Sequence, residues 1–152
     1  MNPVELCWNV TSYVSIIVQL IAAGLCLGIF ISPYMPCRNK AVKAGAAYSV
    51  VMTALYIIPL RIDNILAYFI GTLAAFAVMC AEDRRNINQK IFLSVTFFSL
   101  RWLSASMAGI IDHFFDIVLF NPELAARVWL HYGMYVAVRV LCILFSFLFL
   151  LL

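Results

Sequence analysis

Two arginines, Arg101 and Arg139, each lie near the middle of a long apolar segment. A charge at the centre of a bilayer costs ~2.5–3.5 kcal/mol on insertion scales, so such a residue usually faces a bundle interior or a polar cavity. A guanidinium presents a planar fork of donors that suits a carboxylate or another anion. No acidic residue lies at a matching depth in any apolar segment. The pair therefore predicts a polar space between two helices in which an anion binds.

Helical spacing extends this candidate site along both segments, because residues three or four positions apart share one helix face. On the segment that carries Arg101, this face also holds the Ser94 hydroxyl and the Asp112 carboxylate. On the segment that carries Arg139, it holds the Tyr132 and Tyr135 phenols. The candidates for ligand binding or gating are Arg101, Arg139, Asp112, Tyr132, Tyr135 and Ser94.

A structural role is the commoner alternative for both arginines. Either guanidinium could hydrogen-bond to backbone carbonyls or to polar side chains on other segments. If the helix that carries Arg101 continues to Phe120, the arginine moves towards the inner interface, where its long side chain snorkels at little cost. The segment 112–127 is too apolar for a solvated loop. It either extends that helix or lies in the interface. The polar side chains considered for this role are Gln19, Tyr48, Thr53 and Thr72.

Metal, redox and hydrolytic chemistry have little support. The five cysteines contain no CxxC pair, and the two histidines have no HxxH or HExxH spacing. A thiol redox enzyme or a zinc site would need such pairs. The sequence therefore predicts no metal, no cofactor and no catalytic residue in this chain, and nothing in it points to nucleic acid.

Composition places the chain in a lipid environment. Apolar residues make up 66% of the sequence and charged residues 11%, and the mean hydropathy is +1.03. A soluble domain is nearer half apolar and a quarter charged. The segments are close to the ~20 residues that a membrane helix needs. We expect an all-α, polytopic transmembrane helix bundle, a single domain over 1–152, with spans at about 10–32, 44–60, 65–81, 91–111 and 129–152.

The basic residues are distributed unequally between the two predicted sides. Six lie in two loops on one side, and two lie on the other side. Basic residues mark cytoplasmic loops, so the N-terminus is predicted outside and the C-terminus inside. The six are Arg38, Lys40, Lys43, Arg84, Arg85 and Lys90, against Arg61 and Arg127.

Small residues at four-residue spacing predict close helix packing, since they let two backbones approach. The motif serves packing within the chain as readily as a homodimer. It occurs three times, as Gly24 with Gly28, Gly71 with Ala75, and Ala105 with Gly109.

One stretch resembles a known family. The sequences EDRRNINQKIFL (82–93) and TFFSLRWL (96–103) are similar to the N-terminal membrane region of bacterial sensor histidine kinases with a GHKL-type ATPase domain, the peptide-pheromone receptor kinases among them. The resemblance implies a sensor in the bacterial cytoplasmic membrane whose kinase would follow Leu152. The apolar ending after Arg139 is typical of a chain cut before such a domain. The ATP-binding motifs of the family are absent from the sequence.

Two functions remain open at this point. The first is the sensor module of a two-component signalling kinase, without catalytic activity in this chain and with an extracellular peptide or small amphiphile as its ligand. The second is a small oligomeric transporter or channel component, because arginines in a polar stripe would also suit an anion pathway.

Overall fold

In a computed structural model, the described residues are 3–58, 64–119 and 128–151, without the side chains of some residues near the helix ends. They form five α-helices and no strand, which confirms the all-α prediction for this part of the chain. The helices are α1 (Pro3–Ile31), α2 (Arg38–Ile57), α3 (Asn64–Glu82), α4 (Ile87–Leu119) and α5 (Val128–Leu151), with a 3-10 turn at Ser32–Tyr34 between α1 and α2.

Three of these helices have the length and composition of membrane spans. The apolar stretches are Tyr13–Tyr34, Asn64–Glu82 and Ile87–Ile111, and a shorter one runs through α5 at Val136–Leu148. Large apolar side chains cover the outside of the bundle, among them Ile29, Phe92 and Ile110 at 64%, 68% and 72% exposure. A surface so rich in exposed apolar side chains is stable against hydrocarbon rather than water. The helices therefore have the character of membrane helices.

The α1–α2 connection differs from the predicted one. Arg38, Lys40 and Lys43 were expected in a loop but lie in the first turns of α2, which begins earlier than the predicted span at 44. The prolines at 33 and 36 end α1 as expected, and helix resumes directly after them because no further proline follows. The polar beginning of α2 explains why it is absent from the apolar spans.

The α4 helix is longer than its predicted span of 91–111. It begins at Ile87 and continues to Leu119, so the first part of segment 112–127 extends the fourth helix. Asn86 precedes it with a φ of 53°, a left-handed conformation that asparagine tolerates better than most residues. The rest of that segment lies outside the described residues.

The five helices form a closed ring. Each contacts its neighbours in sequence, and α5 returns to α1. An aromatic cluster fills one half of the interior: the ring centroids of Tyr48 and Phe97 lie 4.9 Å apart, and Phe147 lies 5.7 Å from Phe97 and 6.0 Å from Phe30. The Tyr48–Phe97 and Phe30–Phe147 contacts are edge-to-face, an arrangement that adds to the free energy of burying the rings, and the Phe97–Phe147 pair is tilted at 43°. Side chains from α1, α2, α4 and α5 thus share one core.

Glycine backbones meet where α1 crosses α2. A Cβ added at Gly24 would overlap Ser49 Oγ, and one added at Gly45 would overlap the carbonyl oxygen of Gly24. The Ser49 hydroxyl also donates a hydrogen bond across the interface to the Leu20 carbonyl, at 3.0 Å. At Gly28 a Cβ would come no nearer than 3.5 Å, to the Ala41 carbonyl. The crossing is therefore tightest at Gly24.

The other two small-residue pairs have different surroundings. Gly71 faces α2, since a Cβ there would lie 2.7 Å from Met52 Sδ and 3.0 Å from a ring carbon of Tyr48. Ala75 is buried on the same helix. At Gly109, a Cβ would meet no described atom within 4 Å. Ala105 and Gly109 instead line the cavity described below.

Ion pairs join the two basic segments at one end of the bundle. Lys43 Nζ lies 2.6 Å from Glu82 Oε1, and Lys40 donates to the Glu82 carbonyl at 2.7 Å. A hydrogen bond from the Arg85 backbone N–H lowers the pKa of Asp83, and a hydrogen bond from Lys90 lowers it further. The start of α2 and the α3–α4 connection therefore lie side by side, and this region is called the basic end below.

Candidate functional site

Arg101 and Arg139 line the same cavity. Its volume is about 980 Å³, and it lies between α1, α3, α4 and α5. At ~1.5 Å per residue, both arginines lie ~20 Å along their helices from the basic end. A second cavity of about 390 Å³, nearer α2, has five polar lining residues in common with the first. These five are Gln19, Asn64, Tyr68, Arg101 and Arg139.

The Arg101 side chain is buried, with 5% of its surface exposed. Its guanidinium lies 4.8 Å from the centroid of the Tyr68 ring, a cation–π contact. Its Nη1 donates to Ser104 Oγ at 3.3 Å, and the Ser104 hydroxyl donates to the Arg101 carbonyl at 2.9 Å. These contacts orient the guanidinium across the cavity.

The hydrogen-bonding capacity of Arg101 is incompletely used. Its Nε is buried without a hydrogen-bond partner in the described part of the chain. The Tyr48 hydroxyl lies close enough to interact with the guanidinium, yet it meets no partner with hydrogen-bond geometry. A buried donor without a partner costs ~1–3 kcal/mol. Of these two groups, the Arg101 Nε belongs to a residue that lines the cavity, and this unpartnered nitrogen indicates a place for an acceptor.

Among the described residues that line the cavity, the charged ones are Arg101 and Arg139, both positive. No aspartate or glutamate is among the described residues that line either cavity. Arg139 is half-buried and has an interaction of its own. A buried charge is normally paired, because leaving water is expensive. The two guanidiniums thus form an environment that favours an anion.

The other predicted residues are distributed differently. Ser94 lies two turns from Arg101 and lines a separate apolar groove with Phe69 and Phe98. Its Oγ is buried and has no partner among the described residues. The predicted ligand roles of Asp112, Tyr132 and Tyr135 concern side chains outside the described residues.

Three residues of the site were missed in the sequence. Asn64 and Tyr68 begin α3, and Ser104 follows Arg101 by one turn. Spacing alone could have identified Ser104. Asn64 and Tyr68 reach the site because α3 packs beside α4, which no pattern within α3 reveals. Of the proposed structural partners, Gln19 lines the cavity, whereas Thr72 donates to the Tyr68 carbonyl at 2.7 Å.

Metal-binding clusters are not found within the described ranges, where no three His, Cys, Asp or Glu side chains converge. The chain matches no protein-family model, no curated protein and no solved structure. The cavity is therefore the feature of the molecule that bears on its function.

Proposed function

We propose that this protein is a membrane-embedded receptor or sensor module that binds an anionic ligand between Arg101 and Arg139, with no catalytic activity in this chain. The observation that carries the proposal is Arg101: it is buried, its Nε has no partner, and no described carboxylate lines its cavity. The volume of about 980 Å³ is at the upper end of the range for small-molecule pockets.

A ligand in this cavity would connect four helices. Its acidic group would bridge α4 and α5, and Gln19 and Asn64 would contact it from α1 and α3. Binding shifts a conformational equilibrium only if the ligand prefers one state. An anion would prefer one state if binding draws Arg139, and α5 with it, towards Arg101. In the sensor of a two-component kinase, that motion would pass through α5 to a domain after Leu152. An open reading frame that continues into an ATPase domain would support this output.

Binding is tested with a small carboxylate on the protein in lipid nanodiscs. Benzoate is expected to raise the melting temperature, because a ligand that binds only the folded state stabilises it. Benzyl alcohol, which lacks the charge, should leave it unchanged. Arg101→Gln and Arg139→Gln should each remove the benzoate effect, whereas Arg84→Gln, an exposed arginine at the basic end, should keep it. Equal stabilisation of Arg101→Gln and the parent protein would disprove the proposal.

A transporter or channel component is the alternative. It would bind the same anions, but it would also move benzoate across a proteoliposome membrane. Benzoate flux that is lost in Arg101→Gln would favour this alternative over the sensor.

The proposed topology is a multi-pass protein of the bacterial cytoplasmic membrane, with its N-terminus outside and its C-terminus inside. The contacts of Lys40 and Lys43 with Glu82 support it, since they bring both basic segments to one end. In a variant without the five cysteines, Asn39→Cys and Asn88→Cys are expected to react with an impermeant maleimide only after permeabilisation. Asn64→Cys, at the other end, should react in intact cells. The reverse pattern would overturn the orientation.

A further inference from the structure

We infer that the ligand is a single-chain amphiphile with an acidic head, which reaches the arginines from the bilayer through the groove between α3 and α4. The inference depends on the proposed anion site and specifies what is attached to the anion. It follows from an apolar groove that lies next to the polar cavity.

The groove is small and apolar. Its volume is about 270 Å³, and Leu73, Phe76, Ile91 and Val95 form much of its wall. It follows α4 from Ile91 to Phe98, which is ~10 Å at 1.5 Å per residue. Drug-sized ligands occupy ~300–1,000 Å³, so this groove suits one alkyl chain rather than the two chains of a phospholipid.

The groove and the arginine cavity are adjacent and share two lining residues. Phe69 and Phe98 line both, and their ring centroids lie 6.2 Å apart in an edge-to-face arrangement. The arginines lie on one side of this aromatic pair and the apolar groove on the other. A molecule that spans the pair must therefore have an acidic end and an apolar end.

Exposed apolar side chains flank both the cavity and the groove. Leu66, Phe69, Leu73 and Trp102 are each about half exposed, at 50%, 51%, 53% and 51%. In a bilayer these side chains contact hydrocarbon, where an amphiphile is already dissolved. An amphiphile can therefore move laterally from the lipid into the groove, and its head meets the complementary charge of Arg101. Measured against the aqueous concentration, the chain should tighten binding by on the order of a hundredfold over a short carboxylate, because each methylene that leaves water adds to the apparent affinity.

The inference is tested by fluorescence quenching of Trp102, which lines the cavity. Trp8→Phe with Trp129→Phe leaves Trp102 as the sole tryptophan of the original three. In nanodiscs of zwitterionic lipid, dodecanoate brominated next to the carboxylate should quench Trp102 saturably. Dodecanoate should displace it and dodecanol should not. The quenching that remains in Arg101→Gln measures non-specific partitioning.

Variants in the groove distinguish binding of the alkyl chain from binding of the acidic head. Val95→Phe narrows the groove and should weaken dodecanoate binding at least about tenfold while benzoate binding stays unchanged. Ile110 is exposed on the same helix outside the groove. Ile110→Phe should therefore leave both dodecanoate binding and benzoate binding unchanged. If benzoate binds and dodecanoate binds no more tightly, the amphiphile inference fails and the anion site stands. If neither binds, both fail. Saturable quenching by a brominated anionic phospholipid would overturn the single-chain assignment.

Discussion

Gly24→Leu is expected to destabilise the protein by ~3 kcal/mol or more, beyond the usual cost of overpacking a core. Even the first side-chain carbon at this position would overlap Ser49 Oγ and approach the Gly45 carbonyl oxygen to 2.5 Å. The second contact is with backbone, so α1 and α2 must separate to relieve it. Their separation also lengthens the hydrogen bond from Ser49 to the Leu20 carbonyl. The measurement is the melting temperature and the denaturant midpoint of the purified protein in detergent.

Gly28→Ala is the matched control for this prediction. A Cβ there would lie in ordinary van der Waals contact, 3.5 Å from the Ala41 carbonyl oxygen. This variant should melt within a few degrees of the parent, whereas Gly24→Ala should melt well below it. If Gly24→Leu retains the parent stability, α1 and α2 do not cross at Gly24. Because α2 already occupies the Gly24 face, a homodimer through that face would have to displace α2.

The sequence was informative about the helices and less so about their partners. Apolar length predicts helices over α1, α3, α4 and α5 because every backbone group in lipid must be bonded internally. It does not predict the beginning of α2, where Arg38, Lys40 and Lys43 are helical and form the basic end. The glycine spacing on α1 suggests a close contact but does not identify Gly45 and Ser49 as its partners. Those depend on how two helices cross, which the sequence of either helix does not state.

The candidate site, too, was predictable in part from the sequence. Arg101 and Arg139 could be paired from the cost of placing a charge in lipid, and they line one cavity. Tyr68 could not be identified, since an aromatic residue in an apolar span is most often a packing residue. Its position below the guanidinium arises from the contact of α3 with α4. Polar residues in apolar helices were therefore predictable by their cost, whereas the aromatic residue that holds the cation was not.

Arg101→Met is expected to stabilise the ligand-free protein and to abolish anion binding. Replacing a complete buried ion pair by apolar side chains of similar volume is often neutral or stabilising by ~1–4 kcal/mol. The loss of Arg101 would leave no carboxylate unpaired among the described residues that line the cavity. Methionine is unbranched and fills irregular space. The change removes the Nε that has no described partner. Ser104 keeps its hydrogen bond to the backbone carbonyl of residue 101, and the loss of the cation–π contact with Tyr68 offsets part of the gain.

The two readouts of this variant separate a functional arginine from a structural one. If Arg101 is kept for ligand binding, the Arg101→Met protein melts at a higher temperature than the parent without benzoate. Adding benzoate then raises its melting temperature no further. A structural arginine gives a lower melting temperature, because removing it would leave its partners unbonded. Arg139→Met provides the comparison: Arg139 is half-buried and already has an interaction, so its replacement should lose benzoate binding with a smaller change in stability. Destabilisation by Arg101→Met with benzoate binding retained would assign Arg101 to the structure of the bundle and remove the reason to place a ligand there.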